Sequence, residues 1–399
     1  MIKTDIVIIG AGIMGLAVAR ELHHRHPGLR IILLEKEDTF GHHASGRNSG
    51  ILHAGFYYAP DSLKAKFTVE GNRLLTEYCL QHNLSINRCG KLVVAKDEEE
   101  LKGIYELKNR GDKNGVHLQL IDELELSQLD PNAKTHCKAI YSPTTSVVNP
   151  KEVLSQIATG FNNSVSILYN EKFIQRKDAH SIVTNKNTIQ YKHLINCAGL
   201  YADKIGHQYG VGKHYALIPF KGLYLEYKDR NLIQKHIYPV PNLKNPFLGV
   251  HFTKMADGRV KIGPTAIPAL WRENYQGLSR FNLGEFIEIF RYETKLFLRN
   301  SFNFRDLAFT EIKKYYKKYF IKQAAHLVKK LEEDKFGDYL TPGIRAQLLD
   351  TRTMKLEMDF VVEQEDTSTH VLNAVSPAFT SSFSFGKCIA DKAERVMKM

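Results

Sequence analysis

The sequence predicts an α/β protein: a Rossmann-type dinucleotide-binding domain interleaved with an α+β substrate domain built on a mixed or antiparallel sheet. Three observations predict it. A glycine-rich turn joins a buried strand to a helix near the start of the chain. Longer strands of alternating polarity fill Tyr215 to Gly263. The chain has 399 residues, more than one compact core usually holds.

The first element, Asp5-Ile-Val-Ile-Ile-Gly10, reads as a short strand apolar on both faces. Gly10-Ala-Gly12-Ile-Met-Gly15 follows, then a helix through Leu16 to Leu22, then a second buried strand, Arg30 to Glu35. This is G-x-G-x-x-G inside a βαβ unit with an acid after the second strand. Gly10 makes the tight turn, Gly12 lets a pyrophosphate approach the backbone, and Gly15 lets helix and strand pack closely. The helix N-terminus offers free N–H groups to phosphate. Glu35, about twenty residues past the last glycine, is placed to accept from ribose hydroxyls, with Lys36 beside it. The motif specifies a dinucleotide and leaves FAD and NAD both open.

A small polar loop comes next, Gly41-His-His-Ala-Ser45-Gly46-Arg47-Asn48-Ser49-Gly50. Ser45, Arg47, Asn48 and Ser49 are candidate ligands of a phosphate chain, Arg47 by charge-assisted pairing. Ile51-Leu-His53-Ala-Gly55-Phe-Tyr57-Tyr58 then brings a histidine and two tyrosines beside that loop. Histidine is the usual general acid or base near neutral pH.

Residues 61–83 read as a helix, Arg88 to Ala95 as a strand, and Asp97 to Asn109 as a charged helix. Pro150 opens another helix, where proline suits the first turn. His193-Leu-Ile-Asn-Cys197-Ala-Gly199 reads as a third buried strand ending in Ala-Gly, at the edge where doubly wound sheets hold ligands. Phe220–Tyr227, Ile237–Pro241, Phe247–Thr253 and Arg259–Gly263 alternate in polarity, as antiparallel strands do.

Residues 281–333 read as helical: Leu283, Ile287 and Phe290 share one face, and Phe309, Ile312, Tyr316 and Phe320 another. Lys313-Lys-Tyr-Tyr-Lys-Lys-Tyr319-Phe320 is basic and aromatic together, a mixture that suits an anionic membrane interface. Thr341-Pro-Gly343-Ile-Arg345-Ala-Gln347 reads as turn and strand, and the stretch Ser376 to Gly386, containing Ser382, leads into a final helix. These readings put the dinucleotide domain at 1–85, 145–212 and 338–399, and the substrate domain at 86–144 and 213–337.

Composition narrows the partners. Hydrophobic residues make up 43% and charged residues 25%, ordinary for a globular protein. Net charge is +12, from 55 Lys and Arg against 43 Asp and Glu, which suits an acidic substrate or an anionic surface. Nothing resembles a nucleic-acid module, so nucleic acid is the least expected partner. The apolar run Ile6–Ala19 is too short to span a bilayer and carries three glycines. Five scattered cysteines, none in C-x-x-C, suit a reduced intracellular setting, and no metal site is expected. The expected location is cytoplasmic, with peripheral attachment to the inner face of a membrane through residues 281–330 left open.

Several segments together resemble one family: Gly10–Gly15, Asn48–Tyr58, Tyr238-Pro-Val-Pro241, Pro246-Phe-Leu-Gly-Val-His251, Gly343-Ile-Arg-Ala-Gln347 and Asn373-Ala-Val-Ser-Pro377. They are similar to the L-2-hydroxyglutarate oxidase and dehydrogenase group of D-amino-acid-oxidase-like FAD oxidoreductases. The sequence departs from that pattern at Lys221, Leu223 and Thr265, where Arg, Glu and Asn are the expected residues. The resemblance implies FAD, and an L-2-hydroxy acid oxidised to its 2-oxo acid by hydride transfer to flavin N5 while a base takes the hydroxyl proton. It implies His53 as base, His251 as second choice, and Arg345 as the bidentate clamp on a substrate carboxylate. Tyr57, Lys221 and Tyr238 are expected at the substrate. Gly343, Ser382, Ala198 and Gly199 are expected at the flavin; a histidine in the region of His53 is bonded covalently to the flavin in some relatives, and that attachment is the less expected alternative here. Electrons are expected to leave to oxygen or a membrane quinone. The rival readings are a sister flavoenzyme acting on an amine, an amino acid or glycerol 3-phosphate, and a flavin-containing tRNA-modifying or membrane-bound protein.

Overall fold

The computed structural model describes residues 1–241 and 247–399, so Pro246 of the Pro-Phe-Leu-Gly-Val-His segment lies outside the described residues. The chain forms two compact units. The first comprises Met1–Asn48, Pro150–Ile218 and Arg345–Met399; the second comprises Ser49–Asn149 and Pro219–Ile344.

The first unit is built on a six-stranded sheet in the order Val165–Leu168, Ile31–Leu34, Ile6–Ile9, His193–Asn196, Ser368–Asn373, Val361–Glu365. The first five strands are parallel and the last is antiparallel. Ile6-Val-Ile-Ile9 is buried on both faces, as a central parallel strand must be. Each such side chain contributes roughly 1.5–3 kcal/mol by leaving water. On one face the helices Ile13–Arg25 and Ala378–Met397 pack together, close enough that a Cβ on Gly386 would lie 3.3 Å from Ala17. On the other, Val7, Ile9, Ile32 and Leu34 meet Phe173, Ile182, Ile189 and Tyr191 of a small four-stranded sheet.

The second unit is built on an eight-stranded mixed sheet in the order Phe336–Tyr339, Leu225–Tyr227, Val260–Gly263, His251–Lys254, His236–Pro239, Lys91–Val94, Lys138–Ser142, Gln119–Asp122. Only the pairing of His236–Pro239 with Lys91–Val94 is parallel among the described strands of this sheet. One face carries Leu92, Val94, Ile237 and Phe252, covered by Phe320, Ile321 and Ala324 of helix Lys317–Ala325. The opposite face carries Val93 and Tyr238, covered by Phe56 and Tyr57 and by Ile104 and Leu107 of helix Glu98–Lys113.

Several elements differ from the sequence reading. Residues 49–85, expected with the dinucleotide domain, lie in the second unit. Strand Ile51–Leu52 pairs with Ser146–Val148, which also pairs with Ile86–Asn87, and helix Leu63–Gln81 packs on these strands. The helical stretch 281–333 is broken into Leu283–Arg299, Phe304–Lys313 and Lys317–Ala325. Left-handed backbone at Asn300, Phe302 and Asn303 makes the first break. The second break, between Lys313 and Lys317, takes Phe320 off the face it was expected to share: it is fully buried, while Phe309, Ile312 and Tyr316 stay exposed. The strand read over Phe220–Tyr227 divides into Tyr215–Gly222 and Leu225–Tyr227. Helix Ala378–Met397 starts early enough to include the serine-rich segment.

Candidate active site

Two sets of side chains carry chemistry, one in each unit. In the first unit the glycine turn is sterically obligatory. Gly10 has φ +100°, and a Cβ there would lie 2.6 Å from the Cys197 carbonyl oxygen. A Cβ on Gly15 would lie 1.9 Å from the Gly10 carbonyl oxygen. Gly12 caps helix Ile13–Arg25 without a side chain, and Ser45 Oγ accepts from Ile13 N at 2.9 Å instead. Glu35 is buried and accepts from Ala11 N at 3.2 Å and Glu37 N at 3.0 Å. Burial holds its carboxyl above the ordinary range despite these amides.

The other expected cofactor residues of this unit fall into two kinds. Lys36 is ion-paired with Glu37, Arg47 Nε donates to the His42 carbonyl, and Asn48 Nδ2 donates to the Ala44 and Ser45 carbonyls. These contacts fold the loop on itself. Ala198 N donates to Asn196 Oδ1. Gly199 has φ +54° with open space around its Cβ position, and Ser382 Oγ is buried with no hydrogen-bond partner among the described residues. Arg345 is half-buried on strand Gly343–Asp350 in this unit, while Ser49 and Gly343 belong to the second unit.

In the second unit a polar cluster lies on one face of the large sheet. Period-2 alternation puts Lys91 with Val93, His236 with Tyr238, and His251 with Thr253. Register sets Lys91 opposite His236. His53 follows strand Ile51–Leu52, where Asn72 Nδ2 donates to the carbonyls of Leu52 and His53 at 3.0 and 3.2 Å. Gly55, with φ +100° and Val69 Cγ2 2.8 Å from its Cβ position, lets the chain turn directly after. Asn114 Nδ2 and Arg110 hold the Gly55, Tyr57 and Tyr58 carbonyls.

Of the residues expected from sequence, His53, Tyr57, Tyr238 and His251 are brought together here. The Tyr238 ring stacks on His251 with centroids 3.7 Å apart and planes at 17°. His251 Nδ1 donates to the Gly249 carbonyl at 2.8 Å, which leaves the proton off Nε2 when the ring is neutral. Burial, with Lys91, His251 and His236 nearby, drives His53 well below the ordinary histidine value, so it is neutral at pH 7. The Tyr57 hydroxyl is buried with no partner among the described residues. Lys221 stands on strand Tyr215–Gly222 of a separate four-stranded sheet, its Nζ donating to Asn274 Oδ1 at 3.3 Å, and burial lowers its pKa.

Sequence reading missed Lys91, His236 and Asn72. Lys91 Nζ lies 3.4 Å from His53 Nδ1 and 4.2 Å from the Tyr238 ring centroid. Burial pulls Lys91 down to about 7 and, with the nearby lysines, His236 to about 3. The available signal was a lysine leading an otherwise apolar strand, Lys91-Leu-Val-Val-Ala95.

A family model described as FAD dependent oxidoreductase matches residues 5–392. Mitochondrial L-2-hydroxyglutarate dehydrogenase of Homo sapiens is 38% identical, covering 98% of this chain and 89% of that protein. L-2-hydroxyglutarate dehydrogenase of Indibacter alkaliphilus is 35% identical, covering 98% of both. Among solved structures, the fold is similar to dithionite-reduced L-alpha-glycerophosphate oxidase of Mycoplasma pneumoniae with FAD bound, with TM-score 0.75 and 21% identity over 100% of this chain and 96% of that one. It is also similar to glycine oxidase of Geobacillus kaustophilus, with TM-score 0.73 and 17% identity over 99% and 95%.

Proposed function

The chain belongs to the family of FAD-dependent oxidoreductases, and within it we propose that it oxidises L-2-hydroxyglutarate to 2-oxoglutarate. One observation carries the substrate: near-complete alignment with dehydrogenases named for that acid. The residues of the first unit fit FAD. The N-terminus of helix Ile13–Arg25, whose N-cap Gly12 has no side chain, offers amides to phosphate beyond the one held by Ser45, Glu35 is a buried carboxylate at the end of its strand, and Ser382 Oγ is a buried group with no partner among the described residues. Lys36, Ser45, Arg47, Asn48, Ser49, Ala198, Gly199 and Gly343 complete the proposed FAD-binding set. FAD, when bound, supplies a two-electron acceptor for the hydride of the substrate carbon.

The protein side chains handle the proton and the charges. His53, neutral at pH 7, accepts the hydroxyl proton; His251 is the second choice. Arg345 grips a substrate carboxylate through its planar guanidinium. Lys221 and Tyr238 serve the other carboxylate, and Tyr57 lines the substrate site. His53→Gln tests the base: the protein should keep its flavin and lose roughly 10²–10⁴ in reduction rate. Turnover of L-2-hydroxyglutarate against glycine, proline and glycerol 3-phosphate tests the substrate. Preferred turnover of an amine or glycerol 3-phosphate would replace this reading with the sister flavoenzyme.

Electrons then pass to oxygen or to a membrane quinone, and a specific observation favours a membrane position. Ile287, Phe309 and Tyr316 are 58%, 56% and 74% exposed, with Lys313 and Lys318 exposed beside them. Exposed apolar side chains in a stretch that also exposes lysines suit the interface of an anionic bilayer. Among the described residues no helix is long and apolar enough to cross a membrane.

A further inference from the structure

We propose that Lys91 is the positioning residue of His53: its Nζ, set against His53 Nδ1, selects which ring nitrogen of that histidine holds the proton. The inference rests on the assignment of His53 as the base and deepens it.

The contact is built in by backbone on both sides. Asn72 fixes the main chain at His53, and strand pairing with His236 fixes Lys91. Nζ lies 3.4 Å from Nδ1, a long hydrogen bond of the kind that tightens when substrate binds. Lys91 is fully buried among the rings of Phe56, Tyr57 and Tyr238, at 5.6, 4.9 and 4.2 Å from their centroids. Ring faces favour a cation but do not replace a counter-ion, and among the described residues no carboxylate pairs with Lys91.

Of the surrounding ionisable groups two change charge near neutrality: Lys91 at His53, and Lys261, which burial takes to about 8 but which stands opposite Thr253 in the sheet rather than against His53. His53 and His236 are held far below their ordinary value by burial. Burial raises Tyr57, Tyr58 and Tyr238, and takes Cys89 to about 11. His251 is engaged through Nδ1 with the Gly249 carbonyl. Lys91, at about 7, therefore exists in two states at working pH.

Each state imposes one tautomer. An ammonium has three donors and no acceptor, so charged Lys91 donates to Nδ1 and the His53 proton sits on Nε2. In that state Nε2 cannot take a proton from substrate. A neutral amine has a lone pair, so it accepts from Nδ1–H and leaves Nε2 bare as a base. One proton leaves Lys91 for solvent between the states, and the proton count of His53 does not change.

The test uses the holoenzyme. Flavin reduction by L-2-hydroxyglutarate should rise about tenfold per pH unit below about pH 7 and level off above it. Lys91→Met should lack that limb. Lys91→Arg, a permanent cation, should stay slow with no rise from about pH 6 to about pH 9. A Lys91→Met protein that keeps the wild-type limb would overturn the proposal. Imidazole ¹⁵N spectra of the unsubstituted protein give a second reading, with the His53 signals identified by their loss in His53→Gln. The proton should move from Nε2 at about pH 6 to Nδ1 at about pH 8.5; a single tautomer at both would also overturn the proposal. If His53→Gln reduces flavin normally, the base assignment fails instead. If His53→Gln is slow while both Lys91 variants follow the wild-type profile, the base stands and Lys91 has no part.

Discussion

Replacing Gly15 by alanine isolates the glycine turn on which flavin binding depends. The added Cβ would lie 1.9 Å from the Gly10 carbonyl oxygen and 3.3 Å from Ile8 Cγ2. The oxygen belongs to a backbone held at φ +100° against Cys197, so the helix has to move instead. Overpacking of this kind costs about 1–3 kcal/mol, and alanine returns up to about 1 kcal/mol of helix propensity. Because the clash is with backbone, the upper part of that range, about 2–3 kcal/mol, applies, and subtracting the helix gain leaves a net loss of about 1–2 kcal/mol, with the helix N-terminus displaced from the Ile13–Ser45 bond. An apparent melting temperature lower by about 2–8 °C should result. Flavin retained after gel filtration, read as the ratio of absorbance near ~450 nm to protein, should fall well below one per chain. Gly28→Ala is the control, since nothing lies within 4 Å of its Cβ position. It should melt and bind flavin like the parent or slightly better. Gly15→Ala protein with unchanged melting and full flavin would refute the close-packing argument.

Three further outcomes follow from named residues. Glu293 is buried, one carboxylate oxygen has no partner among the described residues, and burial raises its pKa to about 8. Its folded value lies above the unfolded one, so the stability linked to its protonation is full below about pH 4.5 and lost as pH rises through about 8. Thermal melts should show Glu293→Gln gaining on the parent by a widening margin between those pH values; a constant margin would contradict it. The pair Ile287→Glu and Phe309→Glu should weaken sedimentation with vesicles containing anionic phospholipid and leave flavin content intact. Equal sedimentation of parent and variant would remove that face from membrane contact. His236, neutral in the fold with a value near 3, contributes stability that is present above about pH 6.5 and lost as pH falls toward 3. His236→Asn should therefore flatten the acid limb of the melting profile, and an unaltered limb would assign acid loss to other groups.

The βαβ unit was legible because its constraints are local. Gly15 meets Gly10 within one turn and Ile6–Ile9 is apolar throughout, although the walls that Gly10 and Gly12 face come from Cys197 and Ser45. The home of residues 49–85 was not legible, because it depends on pairing between Ile51–Leu52 and Ser146–Val148 across almost a hundred residues. The broken helices after Leu283 turn on left-handed backbone at Asn300, Phe302 and Asn303, and phenylalanine gives little warning of it. His53 and Tyr57 could be singled out by residue type beside a recognisable loop, and Tyr238 and His251 by the segments that carry the family resemblance. Their company with Lys91 could not, because strand register alone decides which face a lysine takes.

The measurement that bears most directly on the proposed function is an anaerobic visible spectrum of the purified protein before and after adding L-2-hydroxyglutarate. A flavin band near ~450 nm should bleach on addition of the L isomer and persist with the D isomer. A flavin band that stays oxidised with L-2-hydroxyglutarate but bleaches with an amine or glycerol 3-phosphate would contradict it.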